Sequence, residues 1–489
     1  MQLKVFLYLP ILFFFLPAFS FWLPGLNKAY SFFFLFLYIA LFIMFYTSPK
    51  RIIKRTISVV KSTPLKYFAI VLLLISVNGL MHFYMGQKFL LSSIRSTIMQ
   101  IFLCVIPVLI YYINVIEDYI SYKKFLKWFF FLYWIVLILG FISFVGELLN
   151  ISIITIIFDF FANARILSFE QNNIIAQANS YAVNNIPRLD NLFEEPSWYA
   201  RYIFIFLPLI YSIADCKNKI FKRNNLNIIV KKTIVPFSWL SLVLTFSPIF
   251  IVFGIIITLV YYRDKIIDKL KQNPLIFIFS IFVIIILGTL LKQTDCSNIP
   301  VISRIITAFS THSMYEFVQE SSSLANRIIC YINTFCIFLQ HPFVGMGIGN
   351  LANTMLDQFY NSPVPLTLET IGHISRANSL GKGVQYNGGY IYVFLAENGI
   401  FITLIYLYFW KNLYSKLHRL SKFLNKNDFI NAMNKGLCGC ISGFVILFLY
   451  DYNFANLELY IVLVLSILLL YENKKRIVVT QMENNERIE

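Results

Sequence analysis

Charged residues are scarce in this chain, and acidic residues are the scarcest. Lysine, arginine, aspartate and glutamate together make up 13% of the 489 residues, whereas soluble domains average roughly 25%. Hydrophobic residues contribute 58%. This composition excludes a set of ordinary soluble domains and predicts an integral membrane protein. Because the apolar runs last about 17 to 25 residues without alternating, they indicate an all-α fold rather than a barrel.

Several patterns that identify other functions are also missing from the sequence. The seven cysteines and five histidines have no metal-ligand or redox spacing, and no acidic cluster suggests a magnesium or calcium site. Walker, Rossmann and serine-hydrolase motifs are absent. We therefore expect no metal and no cofactor. The energy for any reaction must come from the substrate or from a gradient.

The positive charges are distributed unevenly along the chain. The 41 lysines and arginines give a formal net charge of +17, which could suggest a nucleic-acid partner. Most of them fall in alternate loops between apolar runs, for example in residues 50–66, 217–232 and 411–435. This is the positive-inside pattern, in which cytoplasmic loops are basic. We expect a multi-pass membrane protein without a nucleic-acid partner.

Apolar runs predict about twelve spans in a single membrane domain, residues 1–489, with both termini cytoplasmic. The seventh and eighth spans are short and meet at Ser247-Pro248, which allows a hairpin of half-depth helices. The first run lacks a small-residue cleavage site, so we interpret it as a retained helix rather than a signal peptide. The spans centre on residues 5–23, 29–47, 67–85, 96–115, 128–149, 196–214, 233–247, 248–262, 275–291, 389–410, 436–452 and 455–471.

Two longer segments are expected on the extracytoplasmic side, residues 150–195 and 292–388. The second is the longest polar segment and the expected location of the active site. Within it, Ser321 to Gln340 has helical apolar spacing, which predicts an amphipathic helix on the membrane face. Three alternating glycines follow at 345, 347 and 349. They predict a backbone that turns tightly or approaches a ligand closely.

Arginines in this long segment are candidates for binding phosphate. Arg327 lies near the start of the predicted helix, where free backbone N–H groups and a guanidinium could converge on an oxyanion. The alternative is an arginine that extends to lipid headgroups. Arg304 is a second candidate of the same kind.

The segment EPSWYAR, Glu195 to Arg201, begins the sixth predicted span. Pro196 suits the first turn of a helix, and Glu195 before it complements the helix dipole. Arg201 lies about 7 Å further in, where a cation is costly and usually functional. The alternative is a simple ion pair between Arg201 and Glu194 or Glu195.

The tenth predicted span begins with the segment QYNGGYIYVFLAENG, residues 385–399. Tyr386, Asn387 and Tyr390 could form an interfacial aromatic belt or a surface that stacks on sugars. Glu397 lies about two turns inside, so we expect a partner such as Arg201 or a protonated carboxyl.

The long segment also contains two candidate histidines. His341 precedes a proline, where we expect a cap at the end of the helix. His373 is expected in a solvated loop.

These segments occur in the order found in the superfamily of O-antigen polymerases and O-antigen ligases. EPSWYAR resembles the start of a membrane helix in the polymerases, NRIICY…HPFVGMGIGN resembles the family's arginine helix and glycine motif, and YVFLAENGI resembles the helix that closes its large periplasmic loop. The resemblance extends from about Glu194 to the C-terminus.

The resemblance implies a metal-independent glycosyltransferase of the bacterial inner membrane. It would transfer a glycan from undecaprenyl diphosphate to an acceptor sugar, with Arg327 and Arg201 holding the diphosphate. The remaining candidate contacts to substrate are Arg304, His341, Tyr386, Asn387 and Tyr390. A flippase and a chain-length regulator are the implied partners, beside membrane lipid.

Two positions depart from the family pattern. Gly388 stands where ligases usually carry a histidine, and Pro248 stands where relatives often have an arginine. The first departure favours a polymerase over a ligase and leaves His373 or Glu195 as candidate bases. A ligase, or a flippase or other transporter, remains the alternative, although polar residues concentrated in one outer loop favour an enzyme.

Overall fold

The computed structural model describes residues 49–84, 122–149, 151–153, 189, 196–216, 224–272, 322–347, 350–380, 389–423, 429–450, 459 and 461–471. These residues are mostly helical, and none of them lies in a strand, which confirms the all-α class. Three helical segments are long and apolar enough to cross a membrane: Phe129–Leu148, Ile391–Ser421 and Asn431–Tyr450. The chain is therefore a helical membrane protein. The predicted spans at 5–23, 29–47, 96–115 and 275–291 lie outside the described residues.

The described helices are numbered here in chain order. They are α1 (Pro49–Ser62), α2 (Leu65–Tyr84), α3 (Tyr122–Leu148), α4 (Pro196–Asp215), α5 (Asn224–Leu244), α6 (Pro248–Gln272), α7 (Ser322–Gln340), α8 (Leu351–Tyr360), α9 (Leu368–Leu380), α10 (Tyr390–Phe423), α11 (Phe429–Tyr450) and α12 (Ile461–Tyr471).

Two parts of the predicted helix pattern need correction. The basic segment predicted as a loop at 50–66 contains α1, which is amphipathic: Val59 is buried while Lys54 and Lys61 are exposed. The helices at the seventh and eighth predicted spans are longer than the apolar runs, since α5 and α6 contain 21 and 25 residues. Both continue past their apolar runs into lysine-rich sequence, where the hydropathy signal ends but the helical hydrogen bonding does not.

Helix α4 lies at the centre of the main core, and each of its residues from 201 to 213 is buried. It packs against α5, α6 and α11. Tyr211 connects three of these helices, since Trp239 of α5 donates to its hydroxyl (2.8 Å) and Thr258 of α6 lies 2.6 Å from it. Such interhelical hydrogen bonds supplement the packing of helices in lipid.

Three glycines of α11 allow it to approach α4 closely. A Cβ at Gly439 would lie 2.4 Å from Cβ of Pro208, and one at Gly443 would lie 3.5 Å from the ring of Phe204. A Cβ at Gly436 would meet Ser212. At these contacts the residue numbers rise along α11 while they fall along α4, so the two helices are antiparallel. Small residues at such a crossing let two backbones approach, which is how membrane helices gain packing energy.

A second, smaller core is formed by α7, α8, α9 and the beginning of α10. The predicted helix at 321–340 is thereby confirmed as α7, and the segment 292–388 contains two further helices, α8 and α9. The apolar residues of α7 do not share one face: Ile329 is buried, whereas Phe335 and Leu339 are 43% and 59% exposed. Polar residues contribute to the buried side, where Asn333 donates to the hydroxyl of Ser362.

Candidate functional site

Helix α10 is interrupted at Gly399, which has φ +71° and ψ 178°. In a continuous helix the N–H of Ile400 would bond to the carbonyl of Ala396. Here Ile400 N–H donates to Pro342 O (2.9 Å), and Ala396 O accepts from Met346 N–H (2.8 Å). Gly347 N–H donates to Glu397 O (2.9 Å) in the same way. Residues 342–347, which we call the glycine turn, therefore supply the hydrogen bonds that the helix loses at the break.

Glycine is required where the turn touches α10. A Cβ at Gly345 would lie 2.5 Å from the backbone carbonyl of Glu397, and one at Gly399 would lie 2.1 Å from Phe343 O. Gly345 and Gly347 both have positive φ, +75° and +80°. The sequence predicted a tight turn or a close approach to a ligand, and the structure shows a close approach to α10 itself. Gly349 lies outside the described residues.

Asn78 and His82 of α2 complete this junction, and the sequence analysis missed both. Asn78 Nδ2 donates to Val344 O (2.9 Å) and Glu397 O (3.2 Å). His82 is buried, and a Cβ at Gly347 would lie 2.8 Å from its ring. Two polar residues one turn apart in an apolar helix are a signal that could have identified them, because such residues face other helices rather than lipid.

Replacing Asn78 with leucine, which keeps the branched shape of the side chain but removes the donor, is expected to destabilise the protein by about 1–3 kcal/mol. The carbonyls of Val344 and Glu397 would lose the donor from α2, and a buried polar group without its partner costs about that much. The thermal unfolding midpoint of the purified protein in detergent measures the effect. Ser76→Ala is the matched control, since the exposed Ser76 hydroxyl only bonds to Leu72 O within α2. Equal midpoints for both variants would contradict the assigned role.

Arg327 of α7 lies over the ring of Tyr450 at the end of α11, with its guanidinium carbon 4.3 Å from the ring centroid. The side chain is half-buried. Within the described part of the chain, Arg327 makes no hydrogen bond or ion pair. Stacking on an aromatic face fixes a guanidinium. Its N–H donors are thus not taken up by any described residue and can bind an anion bidentately.

Arg327 was predicted near the start of a helix. Because α7 begins at Ser322, Arg327 is the sixth residue, in the second turn and about 7.5 Å along the axis from Ser322. The described partner of the guanidinium is the Tyr450 ring. The fixed position of Arg327 therefore depends on Tyr450 of α11, and the sequence did not predict this contact.

Four helices meet around Tyr450. The rings of Phe250 and Phe253 from α6 lie edge-on to it, with centroids 5.8 and 5.4 Å away. Tyr331 of α7 donates its hydroxyl to Tyr450 O (2.6 Å) and stacks on Tyr392 of α10, with ring centroids 5.3 Å apart. This aromatic cluster holds the arginine at the boundary between the two cores.

No family model and no curated protein matches the chain. The interpretation of the site therefore depends on its geometry and chemistry.

Arg201 lies near the same aromatic cluster. It is in the second turn of α4 and only 7% exposed, as predicted for a cation inside the span that Pro196 begins. One turn further along, Phe204 packs against Phe250 and Phe253, with centroids 6.2 and 5.8 Å away. These two phenylalanines are the ones that contact Tyr450. Arg201 thus lies one turn along α4 from a ring that packs against the same two phenylalanines as Tyr450.

The other candidate residues are distributed around this region. His341 is half-buried at the end of α7, where its backbone N–H bonds to Ile337 and Phe338 and its carbonyl accepts from Gly345. His373 was expected in a loop, but it lies half-buried in α9. Glu397 is buried, as predicted for its depth. Tyr390 is the first residue of α10. Four predicted residues lie outside the described part of the chain: Glu195, Arg304, Tyr386 and Asn387.

The described residues do not contain a group of histidine, cysteine and carboxylate side chains that could hold a metal ion. The chemistry that the described geometry offers is the binding of an anion by a positioned guanidinium at the edge of a helical membrane bundle. Bound anions of this kind include phosphate and diphosphate groups, for which a planar two-donor fork is well matched.

Proposed function

We propose that the protein is a metal-independent glycosyltransferase that polymerises lipid-linked oligosaccharide repeat units. It transfers a growing glycan from undecaprenyl diphosphate to the next lipid-linked repeat, as in the synthesis of O-antigen, capsule or exopolysaccharide. The observation that carries the proposal is Arg327: its guanidinium is fixed by Tyr450 and engaged by no hydrogen bond from the described residues. The order of the three sequence motifs supports the same activity.

In the proposed reaction, an acceptor hydroxyl attacks the anomeric carbon of the donor sugar. The bond from that carbon to the diphosphate oxygen breaks, its electron pair goes to the diphosphate, and the hydroxyl proton goes to a base. Arg327 and Arg201 stabilise the charge that develops on the leaving diphosphate, since fixed donors in a site of low dielectric need little reorganisation. Glu195 and His373 are the candidate bases. Arg304, His341, Tyr386, Asn387 and Tyr390 are the candidate contacts to the substrate.

The proposal includes a cellular setting. The chain would form a bundle of about twelve spans in the bacterial inner membrane, with both termini cytoplasmic and residues 292–388 outside. The proposed partners are a flippase that delivers the lipid-linked repeat and a chain-length regulator. An O-antigen ligase would share this setting and differ in its acceptor.

A flippase or other transporter is a second candidate, favoured by one observation. Helix α10 is discontinuous at Gly399, and discontinuous helices often form the binding sites of transporters. In this chain, however, the backbone groups exposed by the break are bonded to the glycine turn and to Asn78. Because the protein's own groups make these hydrogen bonds, the break offers few free backbone groups to a substrate.

Deleting the gene in its host and separating the surface glycan by size tests the proposal. A polymerase deletion is expected to remove long chains while a single repeat still reaches its final carrier. Loss of the single repeat as well would contradict a polymerase. In that case, lipid-linked polymer on the outer face would indicate a ligase, and its absence there would indicate a flippase.

A further inference from the structure

An apolar groove of about 470 Å³ runs between α10 and α11. Its described lining is almost entirely hydrophobic and includes Leu407, Trp410, Ile441, Val445 and Phe448. From Ile441 to Leu449 the groove follows α11 for eight residues, or about 12 Å. Its volume is in the range of about 300–1,000 Å³ that is usual for ligand sites. The shape suits a flexible hydrocarbon chain.

The two ends of the groove differ in polarity. At one end the lining is Ile391 and Leu449, which are apolar. At the other end it includes Lys411 and Tyr414, together with Ser442. Lys411 is exposed, and within the described residues it has no ion-pair partner. The groove therefore combines a hydrophobic channel with a single cation at one mouth.

Other charged residues lie toward the same end of α11. Lys435 lies at the same end of α11, with its amine 4.5 Å from the Tyr261 ring. The nearby carboxylates are neutralised within the protein, because Lys265 pairs with Asp215 at 2.9 Å and Arg263 pairs with Asp264 at 3.3 Å. Asp215 and Asp264 also act electrostatically on Lys435, whereas Lys411 has no ion pair among the described residues. Basic residues at a membrane surface attract anionic lipids.

We propose that this groove is a binding site for an anionic phospholipid of the surrounding bilayer, such as phosphatidylglycerol. One acyl chain lies along α11 between Ile441 and Leu449, and the phosphate lies against Lys411. The lipid phosphate is assigned to the Lys411 end, which is therefore the end from which the lipid enters. Lys411 lines the groove, whereas Arg327, beyond the opposite end, does not. The bound lipid fixes the contact between α10 and α11. The site is separate from the proposed glycosyl transfer and does not depend on it.

The test titrates lipid onto the purified full-length protein and counts bound lipids by native mass spectrometry. Phosphatidylglycerol is compared with phosphatidylcholine. Lys411→Gln is expected to weaken the binding of phosphatidylglycerol about fivefold and to leave phosphatidylcholine unchanged, since one cation near a lipid phosphate contributes about this much. Lys416→Gln is the matched control: Lys416 is exposed on the same helix and does not line the groove.

A second pair of variants tests the acyl chain. Val445→Trp fills the groove from an exposed position and is expected to reduce the binding of both lipids, whereas Leu404→Trp, at an exposed position outside the groove, is not. Three results would overturn the proposal: no preference for phosphatidylglycerol, equal effects of Lys411→Gln and Lys416→Gln, or binding unaffected by Val445→Trp. Weakening by Arg327→Gln instead of Lys411→Gln would also overturn it, since the lipid phosphate would then lie at the opposite end.

Discussion

Gly399→Ala is expected to destabilise the protein by about 3–5 kcal/mol and to leave much of it aggregated. A residue with φ +71° and ψ 178° occupies a region that is essentially restricted to glycine, and strain there costs about 1–3 kcal/mol. The new Cβ would also lie 2.1 Å from Phe343 O. That oxygen belongs to the backbone and cannot rotate away, so the glycine turn must separate from α10. Each hydrogen bond lost in this way costs about 1 kcal/mol more.

The measurement for Gly399→Ala is the monodisperse fraction and the unfolding midpoint of the protein in detergent. Gly372→Ala is the matched control, because an added Cβ at Gly372 meets nothing within 4 Å and the position lies inside α9. Alanine there is expected to be neutral or to stabilise by about 0.5–1 kcal/mol. A Gly399→Ala protein as stable as the Gly372→Ala protein would show that the break in α10 is not required.

Arg327→Ala is expected to lower the rate of glycan transfer by about 10²–10³-fold while the protein still inserts into the membrane. A single donor that stabilises developing negative charge contributes an effect of this size. Arg327→Lys is expected to recover only part of the rate, because lysine keeps the charge but not the two-donor fork. The rate of polymer extension in membranes from the gene deletion, with each variant expressed at equal level, measures both effects.

Variants of Tyr450 separate positioning from direct contact with substrate. Tyr450→Phe keeps the ring face below the guanidinium and is expected to retain most of the activity, whereas Tyr450→Leu removes the ring and is expected to approach Arg327→Ala. Arg263→Ala serves as the control for loss of an exposed arginine, since the one ion pair of Arg263 among the described residues is with its neighbour Asp264. Normal chain lengths from Arg327→Ala would remove Arg327 from the mechanism.

The sequence predicted those parts of the fold that depend on local hydropathy. The start of α4 follows from Pro196, and α3 follows from an apolar run longer than a bilayer is thick. Helices α5 and α6 were predicted too short, because lysines such as Lys231 and Lys269 interrupt an apolar run without interrupting the helix. Hydropathy reports where a helix leaves the lipid, and it does not report where the helix stops.

The candidate site was predicted only in part, for a different physical reason. Glycines at 345 and 347 indicated a close backbone approach, but the partner, Glu397 of α10, is distant in the chain and no local pattern identifies it. The same applies to Arg327, whose position is fixed by Tyr450. Asn78 and His82 were missed because two polar residues change the mean hydropathy of an apolar helix very little. Contacts that join distant segments are set by packing of the whole bundle, which a linear pattern does not contain.

The crossing of α4 and α11 has a consequence for how the protein is made. Pro208 and Gly439 contact each other, yet almost half of the chain lies between them, and at about 5–20 residues per second its synthesis takes about 10–50 s. Throughout this delay α4 lacks α11, one of the helices that bury it in the folded protein. A chain terminated before α11 leaves uncovered the face of α4 that contains Pro208 and Ser212.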